Sequence, residues 1–172
     1  RSIGEKWNID VILRRPIARI FNSKGESFYL DDQGYSMAIS RIHTARVVVF
    51  TGKIKDQLDQ LTVDDIINND TLKTIRQLDE IYRISNYVCN DPFLNAQIGQ
   101  VHRKKNGDYV LIPQVGGHSI IFGKANSDRE VEKKFKKLIL FYKEGLPYEG
   151  WNKYKEINLK YDKQIVCKKK II

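Results

Sequence analysis

Five separators made of turn residues cut this chain into short apolar runs, and that spacing constrains the fold more than any other feature. Asn22-Ser23-Lys24-Gly25 and Asp31-Asp32-Gln33-Gly34 divide residues 17–21, 27–30 and 35–39. Asn106-Gly107 and Gly116-Gly117 divide 96–104, 109–114 and 118–123, and Asp162-Lys163 divides 156–161 from 164–168. Runs of four to eight residues bounded by Gly, Asn and Asp read as strands, and separators this short permit only antiparallel neighbours. Asn106-Gly107 in particular predicts a two-residue type I′ hairpin, because that dipeptide most readily supplies two positive φ angles. Two further runs belong to the set. Residues 45–51 are closed by Gly52, and residues 7–13 alternate, with Trp7, Ile9, Val11 and Leu13 apolar, until Arg14-Arg15-Pro16 interrupts them. Proline cannot donate to a sheet ladder.

The middle of the chain changes period. Thr62-Val63-Asp64-Asp65 can cap a short helix, and a longer one is expected from Asp70 or Thr71 to about Tyr87, with Leu72, Ile75, Leu78 and Tyr82 near one face. Asn90-Asp91-Pro92 reads as its stop. Ser127-Asp128-Arg129-Glu130 has the S-x-x-E form of a capping box; Val131, Phe135, Leu138, Ile139 and Tyr142 follow as a helical stripe that ends at Gly145 and Pro147. Strands in adjacent hairpins with helices kept apart make an α+β domain with a mostly antiparallel sheet and helices packed on it.

Composition narrows the function classes. Hydrophobic residues are 41% of the chain, and nine Tyr with seven Phe exclude a disordered chain. No run approaches the ~18 apolar residues of a membrane-spanning helix. Cys89 and Cys167 have no C-x-x-C pairing, and His43, His102 and His118 are isolated, so neither a disulfide framework nor a metal site is expected. Phosphate-cradling, dinucleotide-binding and nucleophile-elbow glycine motifs are absent, and no cofactor, small-molecule substrate or catalytic residue is expected. The net charge of +9 is uneven, with seven Lys against Glu156 and Asp162 from Lys153 onward. Phosphates, anionic lipid and an acidic protein all suit that sign. Nucleic-acid binding would need a reading element besides charge, and none is evident. Arg129, Lys133, Lys134, Lys136 and Lys137 interleave with Glu130 and Glu132 as a solvated helix face does.

The stretch Val11-Ile12-Leu13-Arg14-Arg15-Pro16-Ile17-Ala18-Arg19-Ile20-Phe21-Asn22, then Gly25, Phe28-Tyr29-Leu30-Asp31 and Gly34-Tyr35-Ser36-Met37, resembles FtsQ/DivIB proteins where a small POTRA domain passes into the β domain. Three later features agree: Ala45-Arg46-Val47-Val48-Val49-Phe50-Thr51-Gly52, Ile120-Ile121-Phe122-Gly123 before a Lys-rich helix, and the closing Ile157-Asn158-Leu159-Lys160-Tyr161 with Gln164-Ile165-Val166-Cys167. The Lys168-Lys169-Lys170 ending is more basic than the small or aromatic continuation of other members. The resemblance implies that residues 1–16 are the last strand of a POTRA-like domain and 17–172 the β domain. It implies a non-enzymatic cell-division scaffold, anchored upstream by a single helix in the bacterial inner membrane. This domain would lie on the periplasmic side at the septum.

The expected partners are FtsB, FtsL and other divisome proteins, the partner adding a strand beside the last strand, Gln164, Ile165, Val166, Cys167, Lys168 and onward. Tyr161 matches a family position associated with that contact, and His102, Arg103 and Lys104 fall where relatives place arginine for an acidic partner residue. The competing readings are another POTRA-bearing membrane assembly or secretion protein and a basic nucleic-acid-binding domain. Purified protein is expected to carry no stoichiometric zinc or iron by metal analysis. It should bind duplex DNA only weakly and in a salt-sensitive way, since lysines offer phosphate contacts without base readout; a sequence-specific complex at physiological salt would contradict this.

Overall fold

Proline at the head of a strand gives up no ladder bond, and the first strand begins there. The computed structural model describes residues 10–170. Strands β1 (Pro16–Phe21), β2 (Ser27–Asp31) and β3 (Ser36–Met37) form a meander. β4 (Val48–Gly52) returns beside β1 in parallel. Helices α1 (Val63–Ile67), α2 (Asp70–Ile75), α3 (Leu78–Asn90) and α4 (Pro92–Gln97) lead to β5 (Ile98–Arg103), parallel to β4. β6 (Tyr109–Pro113) and β7 (Ser119–Gly123) extend the sheet in antiparallel steps. Helix α5 (Asp128–Leu140), a π turn (Phe141–Gly145) and α6 (Leu146–Glu149) cross to β8 (Tyr154–Asn158), parallel to β7, and β9 (Val166–Lys169) closes the chain antiparallel to β8.

The result is one nine-stranded sheet in the order β3-β2-β1-β4-β5-β6-β7-β8-β9. Five of its eight pairings are antiparallel, so the α+β reading holds. Parallel neighbours need a crossover of about a dozen residues or more, and the helices occupy two such crossovers. Cross-strand register then sorts the side chains. The row Ile20, Phe50, Val101, Leu111, Ile120, Ile157 is fully buried against Leu78, Ile81, Ile84, Phe135 and Leu138. The next row, Thr51, His102, Val110, Ile121, Asn158, Val166, lies on the face opposite the helices.

Several elements depart from the sequence reading for identifiable reasons. The predicted strand at 7–13 lies partly outside the described residues. Its described part, from Asp10, has no strand partner, and Val11, Ile12 and Leu13 are 80%, 80% and 90% exposed. A strand requires a neighbour for its N–H and C=O groups, and none of the described residues supplies one. The expected 70–87 helix is two helices, because Arg76 is extended (φ −104°, ψ 161°). The break is held by Asp56, whose carboxylate accepts from the Gln77 N–H at 2.9 Å and lies 2.9 Å from the Arg76 Nε, while Arg76 also reaches Asp59 at 2.5 Å. The restarted helix turns Leu78, Ile81, Ile84 and Val88 inward rather than Tyr82.

The helix stops at Asn90, as Asn90-Asp91-Pro92 predicts, and a short new one starts at once: the Asp91 side chain caps α4 by accepting from the Leu94 N–H, with Pro92 in the first turn. The Asn106-Gly107 hairpin is not type I′. Only Gly107 has positive φ, the Gly107 N–H reaches the Lys104 C=O, and the Lys104 N–H reaches the Asp108 C=O. That is a three-residue loop with glycine in the left-handed position. Ser127 caps α5 by accepting from the Glu130 N–H, but the Glu130 carboxylate turns to the Asn126 N–H. The helical path also continues past Gly145 to Glu149, since Pro147 sits in the first turn of α6 where a missing N–H costs nothing.

Asp56 is fully buried, and burial pushes its carboxyl up while Arg76 pulls it back down. Arg76→Ala leaves that desolvation unopposed and frees the α2–α3 break, so urea unfolding at neutral pH should show a loss of about 3–5 kcal/mol. A loss within experimental error would mean that the break does not depend on this pair.

Candidate partner-binding edge

Among the described residues, β9 has a neighbour on one side only. An edge strand alternates: one residue directs its N–H and C=O inward to the ladder, the next directs both outward. Two bonds set the phase here. The Lys170 N–H donates to the Lys153 C=O at 3.0 Å, so Lys168 and Val166, two and four residues back, also face β8. From the other side, the Leu159 N–H donates to the Ile121 C=O of β7, which leaves Asn158 and Glu156 facing Val166 and Lys168 in the observed register. Cys167 and Lys169 therefore present their backbone N–H and C=O groups outward.

Side chains alternate on the same strand. Cys167 is half-buried and packs with Ile165 against the core, whereas Val166 and Lys168 lie on the opposite face and are exposed. Burial pushes the Cys167 thiol up, which keeps it protonated and unreactive near neutral pH. Cys167 and Cys89 are both free thiols.

The strand is shorter than the sequence suggests. Gln164 and Ile165 precede it in a loop, and Tyr161, 49% exposed, sits in that loop rather than at the end of β8. The cause is local. The Lys137 ammonium reaches the carbonyls of Leu159, Tyr161 and Asp162, and Lys160 pairs with Asp108 at 2.9 Å. Carbonyls turned to a lysine of α5 are drawn away from a ladder. Burial pushes the Asp108 carboxyl up, but the hydrogen bond and charge of Lys160 outweigh it and hold the group below the usual carboxylate range. Residue pattern alone hides both contacts, since each lysine reads as a solvated charge.

The second predicted cluster divides. The Arg103 guanidinium is occupied: it donates to the Lys53 C=O at 2.8 Å, lies 3.7 Å from the Glu80 carboxylate and stacks over the Tyr109 ring. His102 stands exposed on the helix-free face with Nδ1 3.1 Å from Thr51 Oγ1, and Lys104 is exposed at the hairpin. His102 shares a cross-strand row with Val166, four strands away, or roughly 19 Å at ~4.8 Å per strand. The structure thus brings Val166 and Lys168 together on the edge and puts His102 on the same face at a distance. Arg103 belongs to the core side.

His118, expected as the first residue of a strand over 118–123, lies just before β7. It is buried, with Nε2 2.7 Å from the Tyr142 hydroxyl, and a Cβ on Gly116 would strike its ring at 2.5 Å. Gly116 has φ +101°, a conformation glycine tolerates, so the Gly116-Gly117 turn can close over the imidazole. Burial also pushes the Tyr142 hydroxyl up to about 12.

The model of one protein family, FtsQ/DivIB, C-terminal related, matches residues 15–168, which run from just before β1 into β9. The chain belongs to this family. It is accordingly a division-related protein, and the matched span takes in β1 to β8 and all but the last residue of β9. A search for similar curated proteins finds no match. Among the described residues of this FtsQ/DivIB-related chain, no helix is long and apolar enough to cross a membrane. Nor does any group of three or more His, Cys, Asp or Glu side chains among them form a metal cluster.

Burial holds the His118 pKa below its ordinary value. A depressed pKa favours the neutral imidazole in the fold, so its stabilisation is present above the unfolded value of about 6.5 and is lost as pH falls through the folded value. Thermal unfolding of the parent should decline on that acid side. His118→Gln should flatten this limb even if it lowers stability at pH 7.5; an unchanged acid profile would show that another group governs it.

Proposed function

We propose that this domain is a non-enzymatic divisome scaffold that captures the FtsB and FtsL division proteins by strand addition along β9. In this reading it sits on the periplasmic side of the inner membrane at the septum, held by an anchor upstream, with residues 1–16 ending a POTRA domain and 17–172 forming the β domain. The observation that carries the reading is the outward-facing pair of backbone groups at Cys167 and Lys169 on an edge strand with no covering loop or helix among the described residues. Exposed edges are usually blunted by proline, bulges or covering elements, because they template pairing with another chain. This edge carries charge, in Lys168 and Lys169, and a register irregularity between Tyr154 and Glu156 of β8 opposite them. Lysine blocks self-pairing but admits an acidic partner. Strand addition draws its affinity from main-chain bonds and its selectivity from alternate side chains.

His102 and Lys104, on or beside the helix-free face, are proposed as a secondary contact for an acidic residue of the partner. Tyr161, in the loop before β9, is proposed to flank the added strand.

The phase of β9 makes the test sharp. Cys167→Pro and Lys169→Pro should leave thermal unfolding close to the parent and weaken pull-down of the FtsB and FtsL extracytoplasmic segments. Val166→Pro and Lys168→Pro remove ladder bonds to β8 and should lower the unfolding temperature. Lys168→Ala should matter less than any of them. If folded Cys167→Pro and Lys169→Pro proteins bind like the parent, β9 is not the docking edge.

A further inference from the structure

Three parallel strands end together at one margin of the sheet. β1, β4 and β5 run in the same direction, so the β1–β2 turn, the segment after β4 and the β5–β6 hairpin come side by side. Ligands commonly bind outside the carboxyl ends of parallel strands. Here Ser23, Gly52, Lys53, His102, Arg103 and Lys105 line a recess of about 320 Å³. None of them is acidic.

Backbone bonds hold its walls in place. The Ser23 N–H donates to the Ile54 C=O at 2.8 Å, and the Lys53 N–H donates to the Arg103 C=O at 2.9 Å. The Arg103 guanidinium returns the bond by donating to the Lys53 C=O at 2.8 Å. Gly52, at φ +102°, lets β4 and β5 close up at this point: a Cβ there would sit 2.2 Å from the Arg103 C=O and 2.9 Å from the His102 ring.

Charge at this margin is one-sided. Lys53, Lys104 and Lys105 are exposed, Lys124 reaches the Asn106 C=O, and none of the four pairs with a carboxylate among the described residues. The acids close by are engaged. Glu80 faces Arg103 at 3.7 Å, Asp108 pairs with Lys160 at 2.9 Å, and Glu26 accepts from the Asn22 side-chain amide at 2.7 Å. Like charges gathered in a recess raise the local concentration of anions. The residue types then select among anions. A planar carboxylate is best met by a free arginine fork, but that of Arg103 is turned to the Lys53 C=O and Glu80. Lysines from separate elements act as point charges from several directions, which suits the tetrahedrally arranged oxygens of a phosphate.

We infer that this recess binds a phosphate group, either free or as the headgroup of an anionic phospholipid. Lys53 and Lys105 contact its oxygens, and the Ser23 hydroxyl is a further donor in the same recess. The inference does not depend on strand addition at β9, and the variants that test it leave His102 and Lys104 untouched.

The experiment compares the parent domain with Lys53→Gln/Lys105→Gln and with Lys133→Gln/Lys155→Gln, which removes the same charge from exposed sites elsewhere. Inorganic phosphate is titrated against chloride at matched ionic strength and followed by amide NMR shifts. The parent should saturate, with the shifts gathered at Ser23, Lys53 and Lys105. The recess variant should bind phosphate roughly tenfold or more weakly, and the control variant should bind like the parent. Thermal unfolding in chloride should be the same for all three; if the recess variant fails to fold, the shift map of the parent still decides. Sedimentation with phosphatidylglycerol vesicles, against phosphatidylcholine alone, separates the two sources. Pelleting that needs Lys53 and Lys105 marks a headgroup site, and phosphate binding without pelleting marks a site for free phosphate. Shifts scattered over the surface, equal loss in both variants, or glutarate binding as tightly as phosphate would each overturn the inference.

Discussion

Parallel pairing is the constraint on which this architecture depends. β4 with β5, and β7 with β8, run in the same direction, and each pair needs a long return path that the helices provide. The core forms because these crossovers bring Leu78, Ile81, Ile84, Phe135 and Leu138 onto the row from Ile20 to Ile157. Among the described residues, the opposite face then has no helix. Because β8 arrives parallel to β7 by way of α5 and α6, the final hairpin can only add outward. It leaves β9 at the margin of the sheet.

What the sequence showed most clearly was local. Strands bounded by Gly and Asn, the Thr62 and Ser127 caps, and the stripe Val131, Phe135, Leu138, Tyr142 appear where residue chemistry places them, since each depends on neighbours within a few positions. The failures share one cause. Arg76 breaks a helix because Asp56, twenty residues earlier in the chain, is buried where it can hold it. Lys137 and Lys160 shorten the last hairpin through partners 22 to 52 residues away. Periodicity carries no record of such contacts. Asp91-Pro92 is different: it stops α3 at Asn90 as expected, and an N-cap followed by proline in the first turn is also a start signal, for α4, that could have been read.

The candidate site shows the same division. The edge position of the last strand was foreseeable from the resemblance, but its phase was not, because alternation has to be anchored by a bond such as Lys170 to Lys153. Arg103 illustrates the limit for side chains. A basic residue in a basic stretch reads as available, yet it is spent on Glu80, Tyr109 and a backbone carbonyl. Exposure on the helix-free face leaves His102 with Lys104 as the accessible members of that stretch.

Amide hydrogen exchange on β9 tests the central claim most directly. In the free protein the amides of Cys167 and Lys169 should exchange quickly, while Val166 and Lys168, bonded to β8, should be protected. Saturation with the FtsB segment should protect Cys167 and Lys169 and change Val166 and Lys168 little. Fast exchange at Cys167 and Lys169 in a saturated complex would contradict strand addition at this edge.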